Sequence, residues 1–244
     1  MGCVVYSDQS PFLQDRPARL EKVAWNDPGW FILRRLRSAL AGTVERLRLP
    51  ATAQVLDFGC ADAPYRRLFP AGADYLAADL PGNTRAAVTI SPQGTLPLAD
   101  ASVDVVLSTQ VLEHASDPAS YLRECFRVLR PGAPLILTTH GFWVYHRDPV
   151  DYWRWTADGL RFLAEKEGLA VQTIDGLGGL TAVAVQLFQD ATRPHVLKLL
   201  RPLYTFVMQR LAALFDLLHS ATSRRQNALV LVMVARKPPS PPRA

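Results

Sequence analysis

Two carboxylates, Asp57 and Asp79, each close a short apolar run, Val55-Leu56-Asp57-Phe58 and Tyr75-Leu76-Ala77-Ala78-Asp79. Runs of this kind that stop at small or polar residues read as buried strands, so both acids stand at strand tips. Asp57 then points into the crevice where open parallel sheets hold their ligands. Asp79 follows about twenty residues later, the separation at which a second-strand carboxylate accepts hydrogen bonds from a ribose. Between them Gly59 lets the chain turn and leaves no side chain between main chain and ligand. The chemistry these residues could do is to hold a nucleoside.

The pattern extends along the chain. Asp57-Phe58-Gly59-Cys60 and Asp79 are followed by Leu96-Pro97-Leu98-Ala99-Asp100-Ala101-Ser102-Val103-Asp104-Val105-Val106, then Val111-Leu112-Glu113-His114, then Arg127-Val128-Leu129-Arg130-Pro131-Gly132. Over about residues 55–140 this ordered set resembles the motifs of class I S-adenosylmethionine-dependent methyltransferases, of the type 11-like group. The resemblance implies an α/β fold, a Rossmann-like doubly wound sheet with an antiparallel last strand, and S-adenosylmethionine as cofactor. It places Asp79 and Leu80 at the ribose, Asp57 and the turn Gly59, Cys60, Ala61 at the methionine side, and Thr109 and Gln110 at the end of the fourth strand beside it. Relatives set a polar residue against the adenine, for which Ser91 and Gln93 are available. Relatives also carry glycine where Ala61 and Ala63 stand, and Pro64 follows at once. Alanine disfavours positive φ, so this loop either takes ordinary angles or is strained.

Acceptors of the methyl group are expected beyond the fifth strand, where His140, Trp143, Tyr145, His146, Asp151, Tyr152, Trp153, Arg154 and Trp155 crowd one loop. An imidazole can take a proton near neutral pH, which makes His140 and His146 the general-base candidates, His140 first because it directly follows the strand. His114, Trp143, Tyr145, Asp151, Tyr152 and Arg154 are the candidates for binding the acceptor. The competing reading is structural: Trp153 and Trp155 pack the loop on the core, Arg154 pairs with Asp151, and Glu113 and His114 brace the turn after the fourth strand. A metal bound by His140, His146, Asp148 and Asp151 matches no strong ligand spacing, and no metal is expected.

These groups need a scaffold. Helical spacing runs through Trp30, Ile32, Leu33, Leu36, Leu40, Val44 and Leu47 behind an Asp27-Pro28-Gly29 start, with Arg34, Arg35 and Arg37 on the wet face. Strands are expected at 54–58, 74–79, 87–90, 103–108, 135–139, 171–174 and 227–235. Helices are expected at 62–69, at 117–129 with Asp117 as cap and Pro118 in the first turn, and at 156–168 with Thr156 as cap. Alternating strands and helices imply right-handed crossovers. The chain divides into an amino-terminal arm and helix (1–50), a cofactor-binding core (51–177), a helical insertion (178–222), and a last strand with a proline-rich tail (223–244). The insertion, with one helix near 180–188 and a longer one from 196, reads as a cap over the acceptor, a dimer face or an interfacial membrane anchor.

Composition bounds the rest. A length of 244 residues and 49% hydrophobic residues suit a domain with additions, and 20% charged residues argue against disorder. The net charge of +5 is spread through helices, so no nucleic-acid partner is expected. Three cysteines without a CxxC pair indicate neither a disulfide framework nor zinc, and with no secretory signal or apolar span a cytoplasmic location is expected. The expected activity is methyl transfer to a small-molecule or sugar-containing acceptor, as an O-methyltransferase of bacterial secondary-metabolite or glycan biosynthesis. A non-catalytic nucleoside-binding relative with a regulatory or scaffold role, and a membrane-peripheral methyltransferase of lipid-linked glycans, are the alternatives. A homodimer stays open.

Overall fold

Strands without polar alternation need cover on both faces. In the computed structural model, which describes Leu20 and residues 22–239, these strands form the centre of one mixed sheet. In chain order they are β1 (Gln54–Phe58), β2 (Asp74–Asp79), β3 (Val88–Thr89), β4 (Val105–Thr109), β5 (Pro134–His140), β6 (Ala170–Leu177) and β7 (Val230–Arg236). Their spatial order is β3-β2-β1-β4-β5-β7-β6, with β7 antiparallel to both neighbours and every other pair parallel. The order reverses between β1 and β4, and such a switch point opens a crevice at the carboxyl ends of the strands.

Helices cover both faces. The amphipathic α1 (Trp30–Leu47) lays Phe31, Ile32, Leu36, Leu40 and Val44 on one face, against Val55, Val105, Ile136 and Val232. On the other face α2 (Pro118–Val128) and α3 (Ala157–Lys166) bury Leu122, Cys125, Val128, Leu160 and Ala164 against Leu56, Val106, Leu135 and Met233. Both expected caps form. Asp117 accepts the Ser120 N–H at 3.1 Å and Thr156 accepts the Gly159 N–H at 3.0 Å, each satisfying one of the free donors of a first turn. Cys60 and Cys125 are buried free thiols.

The helix expected at 62–69 is absent; only a single 3-10 turn, Arg66–Leu68, forms there. Ala61 and Ala63 stand at φ 48° and 53°, the strained alternative, and a left-handed residue cannot be continued into a right-handed helix. Pro64 removes a further donor. Arg35, expected on the wet face of α1, instead reaches the fully buried Asp216 at 2.9 Å. Strand β6 runs three residues beyond its expected end at Ile174, because β7 pairs with it as far as Leu177.

The insertion forms α4 (Leu180–Thr192), α5 (Arg201–Asp216) and α6 (Ala221–Gln226). The long helix begins at Arg201, with Pro202 in its first turn, rather than at 196. Buried glutamines fasten it to α1. Gln209 accepts the Phe31 N–H at 2.9 Å and donates to Gln186 and Gln189, whose own amides donate to the Pro28 carbonyl. Leu203 within it, Leu197 and Leu199 before it and Leu217 and Leu218 after it remain exposed. Among the described residues no helix is long and apolar enough to cross a membrane. Of the amino-terminal arm, residues 1–19 and 21 lie outside the description, as does the end of the proline-rich tail.

Candidate functional site

The crevice at the switch point is a cavity of about 840 Å³. Toward β1 and β2 it is lined by Gly59, Cys60, Ala61, Asp79 and Leu80; Ser91 and Gln93 follow β3, and Thr109, Gln110 and Val111 close β4. Toward β5 it is lined by His114, His140, Trp143 and His146. Eleven of the sixteen residues expected at the site therefore line one cavity. Asp57, Tyr145, Asp151, Tyr152 and Arg154 do not line it.

Local chemistry explains the first wall. The Gly59 and Cys60 amides both donate to the Ala78 carbonyl, bending the chain off β1. Asp79 then pins the bend: its Oδ2 accepts the Ala61 N–H at 2.8 Å and the Asn83 amide at 2.7 Å, while Oδ1 accepts the Leu80 N–H at 2.8 Å. Asn83 also donates to the Ala61 carbonyl at 2.6 Å. These bonds hold Ala61 in a region that costs an alanine about 1 kcal/mol. Gln110 sits at φ 56° across the cavity, so left-handed residues gather on both sides of it, as strain does around ligand sites.

Asp57 lies behind this wall. It is almost fully buried, its Oδ2 accepting the Tyr75 hydroxyl at 2.6 Å, and Oδ1 has no hydrogen-bond partner among the described residues. Burial pushes its carboxyl up to about 7; the Tyr75 hydroxyl opposes this, and the nearby Asp79 and Asp62 add to it. Asp57 does stand near the end of β1, but its side chain is buried against Tyr75 and does not reach the cavity.

The second wall is a cluster of imidazoles around one carboxylate. Glu113, fully buried, accepts the Thr139 hydroxyl at 2.8 Å, and its Oε1 is 3.2 Å from His140 Nε2. Burial raises the Glu113 carboxyl to about 7 against the pull of its hydrogen bonds. Burial also drives the His140 imidazole well below its ordinary value, and the neighbouring His146, Arg154 and His114 press the same way. His140 is therefore neutral near pH 7, stacked on Trp143 with ring centroids 4.7 Å apart. His114 places Nδ1 2.6 Å from the Val150 carbonyl, and its ring meets that of His146 edge to face at 4.9 Å.

The loop after β5 owes its shape to the pairing the structural reading expected. Arg154 grips Asp151 with two bonds of 2.5 and 2.6 Å and donates to the carbonyls of Trp143, Val144 and Trp153. Burial alone would raise the Asp151 carboxyl; the guanidinium overrides it and holds it at about 2. Tyr145 and Tyr152 are 71% and 51% exposed and face outward. Trp153 Nε1 donates to the Ala115 carbonyl at 2.8 Å, and Trp155 packs against the core. Because Asp151 is nearly buried, Arg154→Ala is expected to lower stability by about 2–3 kcal/mol, read as a reduced urea midpoint with unchanged slope. An unchanged midpoint would assign the fork no structural role.

Sequence reasoning missed other walls. Tyr121 lines the cavity from α2, its hydroxyl donating within reach of the Phe58 carbonyl (3.1 Å) and Ser108 (2.8 Å). Ile32, Leu33 and Leu36 of α1 and Gln186, Asp190 and Arg193 of the insertion also line it. No local signal separates these from ordinary core or helix-face positions.

Comparison with known proteins adds three findings. Residues 56–137, a third of the chain running from β1 into β5, match the family model described as a methyltransferase domain. A relative from Mycolicibacterium smegmatis, named "Probable S-adenosylmethionine-dependent methyltransferase", is 59% identical over 44 residues, 18% of this chain and 17% of that protein. The aligned stretch thus covers less than a fifth of either. Among solved structures, the (4+2)-cyclase SpnF superposes with a TM-score of 0.58 at 18% identity, covering 85% of this chain and 82% of that one. Phosphoethanolamine N-methyltransferase 2 of Haemonchus contortus, in complex with phosphomonomethylethanolamine and S-adenosylhomocysteine, gives 0.52 at 14% identity over 82% of this chain and 52% of that one. At these identities the likeness shows a shared Rossmann-like fold. A cyclase on the same fold means that chemistry must be argued from the site.

Proposed function

We propose, for a chain whose residues 56–137 belong to the methyltransferase domain family, that it transfers a methyl group from S-adenosylmethionine to a small-molecule or sugar-containing acceptor bearing a hydroxyl. The observation that supports this most is the single cavity shared by a nucleoside-type wall and a wall of imidazoles and indole. Asp79, at the tip of β2, lines the cavity; Ala61 and Asn83 occupy its Oδ2, and Oδ1, which accepts the Leu80 N–H, keeps a lone pair for a ribose hydroxyl, while the bend at Gly59 brings main chain to the ligand. Methyl transfer to a hydroxyl asks for in-line alignment and removal of one proton. His140 and His146 are the bases at hand; burial lowers both, so each ring is neutral near pH 7 and has a lone pair, at the expense of basicity. The insertion acts as the cap, with Gln186, Asp190 and Arg193 of α4 and the turn after it on the cavity wall.

Calorimetric titration with S-adenosylmethionine and S-adenosylhomocysteine, followed by mass spectrometry of a panel of hydroxylated acceptors, tests the reading. Saturable binding of both and a methylated product are expected. Absence of affinity at millimolar concentrations sinks the proposal. Binding without turnover across the panel would favour the non-catalytic alternative.

A further inference from the structure

Glu113, His114 and His146 come from two loops that follow β4 and β5, and one donor atom from each lies within 4.8 Å of the others. We propose that these three residues bind a divalent transition-metal ion at the acceptor end of the cavity. Two imidazoles and a carboxylate form a ligand set suited to zinc, ferrous iron, cobalt or nickel rather than to magnesium or calcium.

The surroundings are those of ligands already oriented. A metal-binding histidine turns its second ring nitrogen to a carbonyl or carboxylate, which fixes the tautomer and leaves a lone pair on the other nitrogen. His114 does this with the Val150 carbonyl at 2.6 Å. His146 does it with the Val144 carbonyl, 3.3 Å from Nδ1, and Asp151, 3.6 Å from that nitrogen, holds the loop by accepting the His146 main-chain N–H at 2.9 Å. In each ring Nε2 is then the nitrogen available to an ion. Glu113 contributes an oxygen, Oε1, that is buried, forms no hydrogen bond among the described residues and has His140 Nε2 3.2 Å away, while Oε2 is anchored by Thr139. A cation would satisfy that acceptor.

Tetrahedral ligands around zinc stand roughly 3.4 Å apart for bonds of about 2.0–2.1 Å, so the three donors must draw together slightly. The His146 ring, on a half-buried loop, supplies that movement. His114 and His146 both line the cavity, so the ion's remaining positions open toward the acceptor. Its role there rests on the methyl-transfer reading: an acceptor hydroxyl bound to the ion loses its proton more readily than a free one, and with His146 on the ion His140 is the base that remains. The acceptor class that this favours carries hydroxyls able to chelate, as adjacent hydroxyls on a ring do.

The test is titration of chelator-treated full-length protein with cobalt(II), read by visible absorption, and with zinc by competition. One equivalent is expected to bind with the visible band of a low-coordinate nitrogen–oxygen site. His146→Ala and His114→Ala are each expected to weaken binding by about 100-fold or more, and Asp151→Asn by about 10-fold to 100-fold. Circular dichroism and S-adenosylhomocysteine affinity of each variant report whether it folds, and Glu113→Gln is compared with wild type in the same way. Absence of a cobalt band, or binding unaffected by both histidine substitutions, overturns the proposal. Neither readout depends on turnover, so a failed acceptor screen and a failed metal titration remain distinguishable.

Discussion

Gly59→Ala is expected to weaken S-adenosylhomocysteine binding by about 10-fold to 100-fold and to lower stability by about 2–4 kcal/mol. Two causes add. Gly59 stands at φ 84°, where an L side chain is strained, and a Cβ there would lie 2.5 Å from Val111 Cγ2. Since Val111 itself lines the cavity, the clash must be relieved by moving one wall of the site. Two companion variants separate the causes. Gly132 has nearly the same φ, 81°, but nothing within 4 Å of its Cβ position among the described residues, so Gly132→Ala should lose only the backbone share and keep full affinity. Val111→Ala in the Gly59→Ala background removes the clashing atoms and should recover about 1 kcal/mol or more, a coupling measurable in a double-mutant cycle. Equal affinity of Gly59→Ala and wild type in calorimetry would mean that the ligand does not pass along this bend.

The second large effect is on pH dependence. Asp57 has a folded-state carboxyl raised to about 7, against an ordinary value of 3.8. In the window between them the folded protein holds a proton that the unfolded chain has released, so stability falls as pH rises from about 4 to about 7 and stays low above it. The full shift corresponds to about 4 kcal/mol as an upper figure. Asp57→Asn cannot ionise, so its stability relative to wild type should improve by about 3–4 kcal/mol between pH 4 and pH 8 in urea unfolding. Tyr75→Phe removes the hydroxyl that favours the ionised form, so its loss should widen the window upward. Parallel stability–pH curves for wild type and Asp57→Asn would show that the carboxyl titrates normally.

Both effects come from features that sequence reading located but interpreted incompletely. Asp57 and Asp79 were legible as strand ends because each terminates an apolar run, and a strand needs only local alternation or continuity to be recognised. Which of the two faces the ligand was not legible. The register that pairs Asp57 with Ala77 puts both carboxylates on one face of the sheet; the Tyr75 hydroxyl holds Asp57 in the interior, while Asp79, two residues further along, lines the cavity at the bend. The helix expected over 62–69 failed for a related reason. Its residue types allow a helix, but the hydrogen bonds from Asp79 and Asn83 hold Ala61 in a left-handed conformation that propensity alone would not choose.

The loop after β5 divides the same way. Its wealth of aromatic and titratable groups marked it as special, and His140, Trp143 and His146 do reach the cavity. Asp151, Tyr152 and Arg154 look as functional in the sequence, yet none of them lines the cavity: the Arg154 fork on Asp151 ties the loop together and Tyr152 is exposed.

By itself, then, the sequence determined the order of strands and helices, their caps, the Rossmann-like class and the stretch that carries the methyltransferase motifs. Each of these depends on residues close together in the chain, whose spacing and propensity suffice. Only the tertiary structure decided that α1 and the insertion wall the cavity through buried glutamines, that Asp57 lies behind the site, and that Glu113, His114 and His146 converge. Those outcomes depend on side chains from elements far apart in the chain, brought together by crossovers and loop conformations that local patterns do not encode.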